Sequence, residues 1–163
     1  MTIRKASPSD AAALVAILEG IARERVHTAI DRPWPPDAQR VYIESFSPRE
    51  AIHVAEAPEG IAAYQILDLW AKPILSMSHV GQIGTYVTLQ WRRRGLGEAL
   101  FERTCAFARG HGYEKFVIQV RSTNVGGLGF YTKLGFRECG RLARQVRIDG
   151  VADDEVLLEY FLE

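Results

Sequence analysis

The run from Gln82 to Arg109, QIGTYVTLQWRRRGLGEALFERTCAFAR, constrains the fold of this chain more than any other stretch. An apolar, β-branched segment around Ile83, Tyr86 and Val87 leads into three arginines, then Gly95-Leu96-Gly97, then apolar residues at helical spacing. That order reads as a strand, a glycine turn and a helix. The first backbone N–H groups of such a helix lack intrahelical acceptors and sit at the positive end of its dipole, so they form an anion site. Gly95 and Gly97 let a phosphate approach the backbone, and Arg92, Arg93 and Arg94 add positive charge around it. An ordinary strand–helix turn with exposed arginines fits the same residues, so other stretches must discriminate.

Length sets the frame. The 163 residues suit one domain over 1–163, large enough to bury a core. Twenty basic and twenty acidic side chains cancel, which argues against a surface built to bind nucleic acid or a membrane. Cys105 and Cys139 show no CxxC or Cys/His spacing, and read as buried free thiols of a reducing cytoplasm. No run of 18 apolar residues spans a membrane, and the N-terminus lacks the layout of a signal peptide. A cytoplasmic location is expected. The four histidines are isolated from one another and form no carboxylate–histidine cluster, so no metal site is expected.

Along the chain, Thr2 to Lys5 reads as a short strand. Ser7-Pro8-Ser9-Asp10 then supplies an N-cap, an N1 proline and an acid three residues after the cap. Leu14, Ile17, Leu18 and Ile21 predict a helix from 8 to about 25. A loop follows from His27 to Pro36, and Asp37 can cap a second helix reaching Phe46. Residues 51–57 and 61–70 around Pro58-Glu59-Gly60 predict a hairpin. The next strand spans His79 to Val87, followed by a helix over Leu96 to Arg109. The run KFVIQV (115–120) is apolar enough for a strand covered on both faces. A short helix ends near Gly135, and strands over 136–148 and 156–162 flank an Asp149-Gly150 turn. The class is mixed α/β, with about seven mostly antiparallel strands flanked by helices.

This order resembles the GCN5-related N-acetyltransferase (GNAT) family, and two stretches carry the resemblance. VTLQWRRRGLG (87–97) looks like the family's acetyl-CoA motif, a valine ending a strand before Arg/Gln-x-x-Gly-x-Gly/Ala. NVGGLGFYTKLGF (124–136) looks like its asparagine, tyrosine seven residues on, and Lys-x-Gly-Phe. A dinucleotide fingerprint fits less well, because Leu100 stands where the third glycine belongs. No Gly-Lys-Ser/Thr suggests a P-loop.

The resemblance implies the acyl-CoA N-acyltransferase fold and acetyl transfer from acetyl-CoA to a primary amine of a small molecule, amino acid or protein, by direct attack in a ternary complex. It implies pyrophosphate on the amides from Arg93 to Glu98, including Leu96, and pantetheine beside Thr85, Tyr86 and Val87. A backbone N–H there would face the thioester oxygen as it gains charge. Tyr131 matches the tyrosine that protonates the leaving thiolate, and Asn124 matches the asparagine that holds the cofactor arm or the helix start. Gly81 stands where many relatives have a glutamate. Strand alternation offers His79 as base instead, with Asp68, Glu44 and Asp31 behind it. Trp34 and Trp70, with Tyr42, are the expected acceptor walls. A non-catalytic acyl-CoA sensor is the alternative. Terminal strands of this fold can support a homodimer.

Overall fold

A computed structural model describes residues 1–163. The elements in order are β1 (Thr2–Lys5), α1 (Ala11–Arg23), α2 (Pro36–Glu44), β2 (Ala51–Ala57), β3 (Gly60–Leu69), β4 (Val80–Val87), α3 (Leu96–Arg109), β5 (Lys115–Arg121), α4 (Val125–Lys133), β6 (Arg137–Ile148) and β7 (Val151–Phe161). The seven strands form one sheet in the order β1-β2-β3-β4-β5-β7-β6. Every neighbouring pair is antiparallel except β4 and β5. No helix is long and apolar enough to cross a membrane.

Alternation along the strands divides the core between the two faces of the sheet. Ile52, Val54 and Tyr64 pack with Leu14, Ile17 and Ile21 of α1 and Ile43 of α2. On the other face Ala55 and Ala63 meet Leu96 and Leu100, and Leu67, Ile83 and Phe116 meet Phe101, Cys105 and Tyr131. The apolar stripes of α1 and α3 therefore bury against opposite sides of one sheet.

Local signals account for most boundaries. Ser7 and Asp10 form the expected capping box, and the Ser7 amide donates to Asp10 Oδ2 at 2.7 Å. Residues 8–10 are a 3-10 turn that feeds α1, which begins at Ala11. Asp37 lies in the first turn of α2, while Pro35 is its N-cap and the helix stops at Glu44. Asp149 and Gly150 adopt φ of 51° and 78°, the left-handed pair that a tight hairpin turn requires. β7 consequently starts at Val151, earlier than hydrophobicity alone predicts. Cys105 is buried, whereas Cys139 is exposed on the edge strand β6, contrary to the expected burial of both.

Candidate active site

β4 and β5 pair only from Val80–Lys115 to Gln82–Val117 and then part. On its other side β4 stays paired with β3 as far as Val87. Beyond Gln82, therefore, one backbone edge of β4 has no neighbouring strand. The parting opens a cleft of about 990 Å3 through the sheet, lined by Ile83 to Val87, Ile118 to Arg121, and the turn into α3.

At one end of this cleft lies the N-terminus of α3. Its N-cap is Gly95 at φ 81°, which supplies no side-chain cap for the first-turn amides. Left-handed backbone at Arg93 (φ 59°) and Gly95 turns the chain sharply enough to aim those amides into the opening. Arg93, Gly95, Leu96, Gly97 and Glu98 all line it. Gly97 is required for packing as well, since a Cβ there would stand 2.8 Å from Phe130 Cζ.

The three arginines do different jobs. Arg92 lines the cleft, but its guanidinium is spent on Glu24, with bonds of 2.7 and 2.5 Å, and its Nε donates to the Val87 carbonyl at 3.1 Å. Hydrogen bonding from Arg92 in turn holds the Glu24 carboxyl below its ordinary range. Arg94 lies over the Trp91 ring, 4.9 Å from its centroid, and is outside the cleft lining. Only Arg93 keeps its charge for the opening. Sequence shows three adjacent charges, whereas their direction depends on Glu24 and Trp91, which are brought in by the fold.

Tyr131 and Thr85 meet at the middle of the cleft. The Tyr131 hydroxyl, on a side chain only 5% exposed, donates to Thr85 Oγ1 at 2.8 Å. Gln65 Nε2 donates to the same oxygen at 2.8 Å. Burial raises the Tyr131 phenol well above its ordinary value, so it holds its proton at neutral pH. Asn124 caps α4, accepting from the Gly127 amide at 2.9 Å, and its Nδ2 donates to the His27 carbonyl at 3.2 Å. A Cβ on Gly127 would lie 2.5 Å from Asn124 Nδ2, so close packing explains that glycine.

The structure leaves the other expected residues outside. His79 precedes β4, is exposed, and is absent from the cleft lining. Six residues of extended strand, about 20 Å, separate it from Thr85. Gly81 faces the core, where a Cβ would come within 2.7 Å of Leu67 Cδ1 and 3.1 Å of the Tyr113 ring, so a glutamate there would require these side chains to shift. Trp34 packs edge-on against Tyr42 at 5.4 Å, and Trp70 occupies the turn after β3. Neither tryptophan lines the cleft. Local packing of α2 and of the turn before β4 takes both rings away from the opening.

In their place, on the α1 and α2 face, stand Asp68, Gln82, Tyr86, Gln119 and Glu155. Gln82 Nε2 donates to Gln119 Oε1 at 3.4 Å, and Gln119 Nε2 donates to Glu155 Oε2 at 3.3 Å. Asp68 accepts from the Tyr42 hydroxyl, and burial raises its carboxyl above the ordinary value. Burial also raises Glu155, aided by nearby Asp153. Asp68 was visible as a weak alternative in sequence; Gln119 and Glu155 carried no motif.

The sequence model of the Acetyltransferase (GNAT) family matches residues 14–136. YwnH of Bacillus subtilis strain 168, provisionally named a phosphinothricin acetyltransferase, is 24% identical over 160 residues, covering 97% of each chain. The structure of smu.2055 from Streptococcus mutans UA159 superposes with a TM-score of 0.85 at 28% identity, covering 100% of both chains. A GNAT superfamily phosphinothricin acetyltransferase from Sinorhizobium meliloti, in complex with AcCoA, superposes with a TM-score of 0.90 at 16% identity, covering 99% of this chain and 88% of that one. The last shares the fold. The family match takes in the parted strands, the uncapped helix and the Asn124–Tyr131 segment together, and the chain belongs to the acetyltransferase (GNAT) family of enzymes.

Proposed function

We propose that residues 1–163 form a single acetyltransferase domain that moves the acetyl group of acetyl-CoA to a primary amine by direct attack in a ternary complex. One observation carries this reading: β4 and β5 part after Gln82, immediately before an uncapped helix N-terminus. An extended thioester arm can pair with the free edge of β4 as an added strand would. Its diphosphate then meets the amides from Arg93 to Glu98, with the Arg93 charge beside them. The Sinorhizobium relative's AcCoA complex supports the same choice of co-substrate.

Acetyl-CoA supplies an activated acyl carbon. The acceptor ammonium loses a proton to water in the open cleft, and its nitrogen lone pair attacks that carbon. A β4 backbone N–H near Thr85 to Val87 stabilises the charge growing on the carbonyl oxygen. The carbon–sulfur bond breaks, Tyr131 gives its proton to the departing thiolate, and the proton shed by the new amide nitrogen returns through cleft water to restore the phenol. Thr85 and Gln65 fix the phenol in the position this needs. No side-chain base is required at Gly81 or His79.

Two measurements test the proposal. Acetyl-CoA at about 100 times its Kd should stabilise the fold by about 2.7 kcal/mol, read as a raised Tm. Free thiol should then appear with a panel of amines. A raised Tm without thiol release would point to the acyl-CoA sensor, and no Tm change would remove the co-substrate altogether.

A further inference from the structure

Resting on that reading, we propose that the acceptor is a small amine carrying a second cationic group, and that Glu155 receives this group. Glu155 is 8% exposed, lines the cleft, and has no cation within ion-pairing distance; its one side-chain partner is Gln119 Nε2 at 3.3 Å. A carboxylate so withdrawn from water is costly unless a cation reaches it. The open side of Glu155 is the cleft itself, so the missing cation has a route from solvent.

The remaining charges on this half of the cleft point the same way. Asp68, the other carboxylate lining it, shares Lys72 with Glu50 and has the weaker claim, at 3.7 Å against 2.7 Å. Arg121 is committed to Asp153 at 2.9 Å and to the carbonyls of Arg25 and Thr28. Arg92 is committed to Glu24. An acceptor bearing a carboxylate would find two carboxylates and no uncommitted guanidinium there. Like charges facing each other select against a ligand as strongly as complementary ones select for it.

Placement separates the second cation from the reacting nitrogen. Tyr131 and Thr85 mark the reacting end on β4, whereas Glu155 stands on β7, two strands away in the sheet order. β4 and β5 have parted at this level, so two strand steps of about 4.8 Å set a lower limit of roughly 10 Å on their separation, a gap that the reacting thioester and an aliphatic diamine fill together. Glu155 also borders a second, smaller cavity of about 320 Å3 with Asp31 and Arg147, so a longer chain could continue past it.

A matched series tests this: butylamine, putrescine and γ-aminobutyrate share a chain length and differ in the charge of the far end. With the full chain and saturating acetyl-CoA, kcat/KM from thiol release should fall in the order putrescine, butylamine, γ-aminobutyrate, with at least about tenfold between the first two. In Glu155→Gln the ratio of putrescine to butylamine should collapse to about one. An unchanged ratio, or γ-aminobutyrate matching putrescine in the wild type, would overturn the proposal. If no amine releases thiol, the enzyme reading fails separately. Calorimetry of putrescine into the coenzyme A-saturated protein then decides: heat that Glu155→Gln abolishes supports the cation site, and no heat refutes it.

Discussion

Replacing Asp153 by alanine should be among the most damaging single changes in this protein. Its carboxylate accepts three hydrogen bonds, from Arg121 Nε at 2.9 Å and from the hydroxyls of Ser122 and Thr123 at 2.6 Å each. The Arg121 and Asp153 side chains are only 8% and 4% exposed. Truncation leaves a guanidinium out of water with no counter-charge, a loss of about 3–5 kcal/mol. The two hydroxyls share that network, so their losses are not added. At about 2–4 °C per kcal/mol for a chain of this size, Tm should fall by about 6–20 °C. Thermal unfolding followed by far-ultraviolet circular dichroism reads this directly. The pH dependence supplies a second check. Against the upward push of burial, Ser122, Thr123 and Arg121 hold the Asp153 carboxyl at about 2, below its ordinary 3.8. Its contribution is full above pH 3.8 and fades as pH drops through about 2, because the unfolded chain takes up the proton first. The Tm gap between wild type and Asp153→Ala should therefore hold from neutral pH to about 5 and narrow in stronger acid. A gap under about 2 °C at neutral pH would show that Arg121 is satisfied without its carboxylate, and would refute the reasoning.

Three further changes probe the cleft. Tyr131→Phe should lower kcat by about a hundredfold or more while acetyl-CoA still raises the Tm, since only a proton donor is removed; unchanged turnover would exclude the phenol as acid. Gly127→Ala puts a methyl against the Asn124 amide and should cost about 1–2 kcal/mol through the lost cap of α4. Urea unfolding measures it, and an undiminished midpoint would mean that the cap re-forms. His79→Ala should leave kcat/KM within about twofold, because the side chain stands outside the cleft. A large loss there would return His79 to the mechanism.

How much of this was legible beforehand follows from range along the chain. The β4–turn–α3 unit and the Asn124-to-Phe136 segment are local: a glycine with left-handed φ, an uncapped helix start and an Asx cap each depend on a few adjacent residues. Periodicity likewise marked the strands and helices to within a few residues. Alternation misled at His79 for a simple reason. It assigns a face, but not a position along the strand, and His79 falls one residue before β4 and far from the Thr85 end.

What the amino-acid order determined by itself is thus the succession of elements and the two motifs that face one opening, since these are written in short-range spacing and backbone preference. The tertiary structure alone decided which charges that opening can use. Sheet order sets β7 beside β5 and so brings Glu155 to Gln119, while α1 brings Glu24 to Arg92 from 68 residues away. Charges act through space, and their partners come from distant elements that meet only when the sheet has closed.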